Sequence, residues 1–480
     1  MGRTVEPRLL RGLRDILPEQ MHARQWIIDT IRGVYENYGY VPLSTPAIEY
    51  LDVLSGSAGE ETQKELFEVV GPAQEKLGLR FDQTVPLARV VAQYRDLPRP
   101  FRRYQVSPVW RMEMRPNEKR GRFREFTQFD IDAVGVKSDI ADVEMITAMC
   151  DTMAALKTGP FRVRVSSRRV LNLLLPYAGI DPDRAHDVFR VLDKLEKLGA
   201  EKIRLELTTG YKDESGAPIR GLGFSDAQVD RIDEFLAIQG DRRDDVLAQV
   251  REQFRDVEGA EVELDALEAM SQTLHTLGYG DDQVVFDPRL ARGLAYYTGS
   301  VFECVLEDLP TFGAIGGGGR YDDLVLRFSG EKVPAVGTSF GVDRLLIALF
   351  ELGRVPVRKS TAQVLVSVFD RKMMDDYVAM TYELRRAGVR TELYLGNPRR
   401  VGKQIEYGDK YEVPIVVIYA SDEKAKGIVQ IKDMAIGRER TAEIADRDAW
   451  KAERPGQFEV PRDQLIPAVQ KLLREIEGEV

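Results

Sequence analysis

Apolar residues recur at helical spacing over residues 19–38, where Trp26, Ile27, Ile31, Val34 and Tyr35 share a face and Gly39 ends the run. The next stretch, YVPLSTPAIEY, is interrupted by Pro42 and Pro46 and is expected to be extended. Two strand-like runs follow, ending at Thr84 and Met114, with a helix expected between them over VPLARVVAQYR. From about residue 137 to 280 the polar–aromatic alternation gives way to charge-rich helical periodicity, which reads as an inserted or appended helical region. Strand pattern returns in DPRLARGLAYYTGSVFECVL. GAIGGGGRYDDL is then expected to form a glycine turn, and AVGTSFGVDRLLIALFEL a strand running into a helix with Leu345, Leu346, Leu349 and Phe350 on its apolar face.

Residues 353–362, with Pro356, charges and no periodicity, read as a linker. Beyond it AQVLVSVF, RTELYLG and VPIVVIYA are expected strands that alternate with helices in MDDYVAMTYELRRAG and RRVGKQIEYGDKYE. This predicts a small α/β domain with a largely parallel sheet, closed by a last helix in RDQLIPAVQKLLREIE. The length of 480 residues agrees with about three domains.

Composition narrows the class. The formal net charge of −10 argues against a protein that coats nucleic acid by bulk charge. Local basic clusters in RPFRRYQ, RPNEKRGRFR and NPRRVGKQ leave phosphate binding open. Cys150 and Cys304 are far apart, and His22, His186 and His275 are scattered, so neither a disulfide framework nor a zinc site is expected, and no dedicated metal cage. No apolar run reaches membrane-spanning length, and the N-terminus lacks the apolar core of a secretory signal. A soluble cytoplasmic protein without membrane contact is expected.

The chemistry concentrates in GRFREFTQFDIDA. Read as a strand, it places Arg122, Arg124, Phe126, Gln128, Asp130 and Asp132 on one face, and Phe123, Thr127, Phe129 and Ile131 on the other. On the preceding strand Arg111 and Glu113 share a face opposite Trp110 and Met112. The two strands form a hairpin with arginines at one end and carboxylates at the other. Planar guanidinium groups suit phosphate oxygens, and carboxylates suit an ammonium group. Such a surface can hold a triphosphate beside an amino acid. The same pattern also suits a solvated sheet face with cross-strand ion pairs. ARGLAYYTG adds Arg292, Tyr296 and Tyr297, and FGVDRLL puts Arg344 at a strand-to-helix junction, either facing an anion or paired with Asp343. GAIGGGGRYDDL lacks the ending of a P-loop and the setting of a dinucleotide fold.

Together these segments resemble the class II aminoacyl-tRNA synthetases, and specifically the histidyl-tRNA synthetase family, over nearly the whole chain. RGLRDILPEQ is similar to the family's opening, YGYVPLSTPAIE to motif 1, LRFDQTVPLARV to the amino-acid-binding strand, and VWRMEMRPNEKRGRFREFTQFDID to motif 2. RGLAYYTGSVFE and GGGGRYDDL resemble the two segments particular to histidine enzymes, GTSFGVDRLL resembles motif 3, and VGKQIEYGDKYEVPIVVIYASDEKAKGIVQIKDM resembles the anticodon-binding domain.

The resemblance implies an α/β chain with an α+β catalytic core: a mixed, mostly antiparallel six-stranded sheet with flanking helices. It divides the chain into a first core part (1–136), a helical insertion (137–280), a second core part (281–353) and an anticodon-binding α/β domain (362–480). It implies a homodimer that activates L-histidine with ATP and Mg2+ and passes the histidyl group to tRNA(His). By position, Arg111 would grip the α-phosphate, Glu113 would contact adenine, Phe126 would stack on it, and Arg122 and Arg344 would hold the outer phosphates. Asp82, Gln83, Thr84, Gln128 and Asp132 would surround the histidine ammonium. Arg292 would bridge the substrate carboxylate and the α-phosphate, and Tyr296, Tyr297 and Tyr321 would line the imidazole pocket. Ala295 stands where an aspartate is common in the family, Asp343 where the class usually has glutamate, and Asp82 where some members have glutamate. Two rival readings come from the same superfamily. One is a non-catalytic regulatory subunit of ATP phosphoribosyltransferase, which typically lacks the anticodon domain. The other is a sister class II enzyme for another amino acid.

Overall fold

The computed structural model describes residues 5–55, 65–113, 116–213, 216–290, 296–396, 401–436 and 456–477. The chain separates into two compact units, Met1–Asp15 with Arg24–Val355, and Ile16–Ala23 with Pro356–Val480.

The larger unit is built on an eight-stranded sheet. Its strands are β1 (Val41–Pro42), β5 (Phe101–Trp110), β6 (Glu125–Val134), β7 (Phe161–Ser167), β8 (Val284–Phe286), β9 (Ser300–Leu306), β10 (Gly316–Arg320) and β11 (Ala335–Gly341), in the order β1-β5-β6-β11-β10-β9-β7-β8. A separate small sheet holds β2 (Ile48–Tyr50), β3 (Phe67–Val70) and β4 (Lys76–Leu79). The resemblance implied six strands in the main sheet. The inner six are antiparallel throughout, and short parallel pairings of β1 with β5 and β8 with β7 add one strand at each edge.

The period of two along β6 decides how the sheet is covered. Phe129 and Ile131 point to one face and are fully buried. Helix α1 (Pro18–Asn37) lies there, with Tyr35 meeting Phe129 edge-on at 5.1 Å. Gln128 and Asp130 point to the opposite face, into a cavity. Helix α2 (Thr84–Gln93) buries Val85, Leu87, Ala88 and Val91, and its first residue follows Asp82 and Gln83 out of the small sheet. Thr84 therefore opens a helix instead of ending a strand. The Val85 N–H donates to Asp82 Oδ1 at 3.1 Å, which fixes that carboxylate at the helix start.

Three further expectations are corrected. The region expected to be helical from residue 137 contains α3 (Ile140–Ala155), which is buried nearly all round, and β7 inside the main sheet. The strand hid behind its charges. In FRVRVSS the valines are fully buried, while Arg164 faces Asp287 at 2.7 Å and Glu303 at 3.3 Å. Helices between Arg168 and Thr276 follow, with a two-stranded ribbon of Gly210–Lys212 and Pro218–Arg220. The expected glycine turn is strand β10, hydrogen-bonded between β9 and β11. Its neighbours leave no room for side chains: a Cβ on Gly318 would lie 2.0 Å from the Gly337 carbonyl oxygen, and one on Gly316 would lie 2.6 Å from the Phe340 ring. Helix α4 (Val342–Glu351) follows β11 directly and buries Leu345, Leu346 and Leu349.

The smaller unit is the third correction, because its sheet is only half parallel. β12 (Val364–Val366) lies parallel to β13 (Thr391–Leu393) and to β14 (Ile415–Ile418), whereas β15 (Ile428–Asp433) and β16 (Gln457–Pro461) are added antiparallel. Helices α5 (Met374–Arg386) and α7 (Leu465–Glu477) pack Tyr377, Met380, Leu465 and Val469 against Val364, Ile415 and Val429; α6 (Val401–Lys410) lies between β13 and β14 in the chain.

Gly318→Ala is expected to lower stability by about 1–3 kcal/mol or more, because the added methyl meets backbone that cannot move aside. Chemical denaturation of the variant against the native chain measures this.

Candidate active site

A cavity of about 480 Å³ opens on the front of the main sheet. Its walls come from Arg111, Glu113, Arg122, Phe126, Gln128, Asp130 and Arg344, its floor from Gly316, Gly317 and Gly318, and its deep end from Asp82, Thr84, Tyr296 and Tyr297. The glycine strand thus presents bare backbone to whatever the cavity holds.

The hairpin departs from a simple long strand pair. β6 begins at Glu125, so Arg122 and Arg124 stand before it, and Arg111 and Glu113 stand after β5. One further rung joins them, with the Arg111 N–H donating to the Arg124 carbonyl at 2.9 Å. Arg111 is held on two sides: its Nε donates to the Phe81 carbonyl at 3.0 Å, and its guanidinium lies 5.2 Å from the centre of the Phe126 ring. Arg344 leaves the first turn of α4, donates to the Phe312 carbonyl and lies 5.6 Å from that ring. Gly121, at φ +65°, rests directly on it; a Cβ there would stand 2.6 Å from Arg344 Cα. The carboxylate of Asp343 is engaged by Arg14 at 2.8 Å and by the Thr127 N–H at 2.6 Å.

The opposite end is acidic and buried. Asp82, Asp130 and Asp132 are all buried. Burial pushes Asp82 up to about 6, against the pull of the Val85 N–H and Arg111. Burial, with Asp132 close by, pushes Asp130 up to about 7 against the pull of Arg103. Asp132 is raised by burial as well, opposed by Arg103 and by the Tyr321 hydroxyl that donates to it. Tyr296 donates to Asp82 at 3.4 Å. Burial raises Tyr296, Tyr297 and Tyr321 above the ordinary phenol value, so all three hold their protons; Tyr296 and Tyr321 donate them to Asp82 and Asp132.

Of the residues expected from sequence, Asp82, Thr84, Arg111, Glu113, Arg122, Phe126, Gln128, Tyr296, Tyr297 and Arg344 line one cavity. Asp132 and Tyr321 lie behind its wall, joined to each other. Gln83 is buried in the scaffold, its amide donating to the carbonyls of Ser107 at 3.1 Å and Gln128 at 2.9 Å. Arg292 and Ala295 lie outside the described residues.

Arg103 was missed. It is fully buried, sits opposite Asp132 in the β5–β6 register and lies 2.8 Å from its carboxylate. Read as part of the cluster RPFRRYQ it belonged to a basic surface patch. The alternation of β5 could have placed it with Gln105 and Ser107 on the cavity side of the sheet.

The described residues hold no group of three or more His, Cys, Asp or Glu able to bind a metal.

A family model described as "Histidyl-tRNA synthetase" matches residues 12–345, and one described as "Anticodon binding domain" matches residues 363–472. The chain belongs to the histidyl-tRNA synthetase family. A relative named "Histidine--tRNA ligase" from Ruegeria sp. (strain TM1040) is 42% identical over 484 residues, spanning 96% of this chain and 95% of the relative. The crystal structure of histidyl-tRNA synthetase from Nostoc sp. PCC 7120 superposes with a TM-score of 0.79 at 31% identity, covering 98% of this chain and 100% of that one. A Bacillus halodurans structure titled as an ATP phosphoribosyltransferase regulatory subunit/histidyl-tRNA synthetase shares the fold at 24% identity and a TM-score of 0.67, over 85% of this chain and 98% of its own.

The raised Asp82 carboxyl carries a stability consequence. Its folded-state value lies above the ordinary one, so ionising it costs stability above about pH 6, and the cost disappears as the pH falls through 6 toward 4. Asp82→Asn keeps an acceptor for the Val85 N–H and removes the charge. The variant is expected to melt at a higher temperature than the native chain at pH 8, with the gain shrinking below pH 5; a constant or inverted difference in calorimetric scans would contradict the assignment.

Proposed function

We infer that the chain is a histidine–tRNA ligase, and that this cavity first joins L-histidine to AMP. The observation that carries the reading is the polarity of the cavity: arginines at one end, buried carboxylates and protonated tyrosines at the other, over a floor of bare glycine backbone.

The histidine carboxylate oxygen attacks the α-phosphorus of ATP, the bond from that phosphorus to the bridging oxygen breaks, and pyrophosphate leaves. The substrate carboxylate is already ionised at neutral pH, so no general base is required. The step needs alignment and neutralisation of the charge gathering on phosphate oxygens. We assign Arg111 to the α-phosphate, Arg122 and Arg344 to the outer phosphates, Phe126 to stacking on adenine and Glu113 to the adenine edge. Arg292 keeps the role implied by the resemblance, between the substrate carboxylate and the α-phosphate. The ammonium is assigned to Asp82, Thr84, Gln128 and Asp130, with Asp132 acting from behind through Tyr321. Tyr296 and Tyr297 face the imidazole. A neutral imidazole offers one donor and one acceptor, and a buried pocket that pairs both rejects an apolar amino acid by roughly 10⁴ or more. In the second step the terminal ribose 3′-hydroxyl of tRNA(His) attacks the acyl carbon and AMP leaves.

Magnesium is assigned to the phosphates of ATP, where it would add neutralising charge. The unit from Pro356 to Val480 is assigned to the anticodon of the tRNA, in keeping with the family model that it matches. We assign the exposed apolar residues Val41 and Ile48, in the segment resembling motif 1, and Tyr50 just after it to a second copy of the chain in a homodimer. No described helix is long and apolar enough to cross a membrane, and the two cysteines are free and buried; we place the enzyme in the cytoplasm. Retention of both the arginines and the anticodon unit favours the ligase over the regulatory subunit.

ATP–pyrophosphate exchange driven by each amino acid in turn tests the reading. Exchange is expected with histidine alone; exchange with another amino acid, or none from well-folded protein, would overturn it. Truncation before residue 361 is expected to weaken tRNA charging far more than exchange.

A further inference from the structure

The reaction gives no task to the RGLRD segment at residues 11–15, yet the structure ties that segment to the back of the arginine end. The β6–β11 ladder ends at the pair Gln128 and Gly341, where the chain turns into α4. The next N–H along β6, that of Thr127, is met instead by Asp343 Oδ2 at 2.6 Å. Asp343 Oδ1 accepts from Arg14 at 2.8 Å, and Arg24 Nε lies 3.8 Å away. The Arg14 guanidinium also lies over the Phe123 ring, 4.1 Å from its centre. Two residues earlier the Gly12 carbonyl accepts the Arg124 N–H at 2.8 Å. A side chain at Gly12 would break this fit, since its Cβ would stand 2.9 Å from Arg124 Cγ. The Arg14 and Asp343 side chains are 17% and 5% exposed, so solvent screens their pairing little.

These contacts bracket the cavity arginines without entering the cavity. Phe123 and Arg124 follow Arg122 in sequence, and Asp343 precedes Arg344. We propose that Arg14 and Asp343 are positioning residues that lock the segment 122–127 to the start of α4, and so set the spacing of Arg122, Phe126 and Arg344. The proposal rests on the reading of this end as the ATP end. It explains how an aspartate serves where the class usually has glutamate: the shorter side chain holds the Thr127 N–H, and Arg14 neutralises it.

The test measures KM for ATP and for histidine separately in the exchange assay, and the ATP affinity directly by calorimetry. The variants, made in the full chain, are Arg14→Ala, Arg14→Lys, Asp343→Asn and the double variant R14A/D343N. A small shift in alignment is costly, so each of Arg14→Ala and Asp343→Asn is expected to weaken ATP about tenfold, while KM for histidine stays within about twofold. The double variant is expected to be no worse than the weaker single, because the two act as one contact. Arg14→Lys, which keeps the charge beside Asp343, is expected to recover most of the ATP affinity. Parallel loss of both substrates, unchanged ATP affinity, or losses that multiply in the double variant would overturn the proposal. If Arg14→Ala does not fold, Arg14→Lys and Asp343→Asn decide the matter by the same split. The calorimetric arm needs no amino acid, so failure of histidine to drive exchange in the native chain would sink the functional reading while leaving this proposal to its own result.

Discussion

The site depends on one buried cation. Arg103 lies wholly inside the sheet against Asp132, within reach of the charge on Asp130 and Asp82, and its guanidinium donates to the Gln83 carbonyl at 3.2 Å. Three carboxyl groups buried together around this cation, with Arg111 adding its charge beside Asp82, are an unstable arrangement: burial penalises each charge, and the acids repel one another. Removing one member of a buried pair typically costs about 3–5 kcal/mol. The fold accepts this arrangement because β5 and β6 hold Arg103 opposite Asp132 and Gln105 opposite Asp130. The result is a pocket short of positive charge, which a substrate ammonium can supply.

The opposite end follows the inverse logic. Arg111, Arg122 and Arg344 converge on the cavity beside Glu113; Arg111 is held by a carbonyl and an aromatic face, and Arg344 donates to the Phe312 carbonyl. Such groups are fixed before any ligand arrives, the condition under which electrostatic stabilisation costs least reorganisation. Between the ends the glycines of β10 contribute no side chains, so the cavity floor there is backbone. Adenylation requires little else from a protein: a carboxylate held in line with a phosphorus, and cations around the oxygens that gather charge.

Much of this was legible in the residues. Alternation in FTQFDID correctly sorted Phe129 and Ile131 to the core and Gln128 and Asp130 to the cavity. The strand-to-helix junction at Arg344 followed from the change of period in AVGTSFGVDRLL. What stayed hidden has physical causes. Arg103 and Arg164 look like surface charge because arginine is seldom buried, and only the register reveals their partners Asp132, Asp287 and Glu303. The glycines of β10 carry no hydrophobic period, so local composition read as a turn, whereas contacts distant in sequence with Gly337 and Phe340 make it a strand. Asp132 and Tyr321 bind each other behind the wall, an arrangement set by packing between β6 and the segment after β10.

We propose that the substrate ammonium takes over the neutralisation of acids whose burial opposes their ionisation. Burial, with Asp132 close by, pushes Asp130 up against the pull of Arg103, so it holds its proton more readily than an ordinary carboxyl and should release it when histidine binds. Proton release on histidine binding can be measured by calorimetry at pH 7 in buffers of different ionisation heat, for the native chain and for Asp130→Asn. Comparing the two cancels any contribution from the substrate imidazole. Clearly greater release is expected from the native chain. Equal release from both, or proton uptake specific to the native chain, would contradict it.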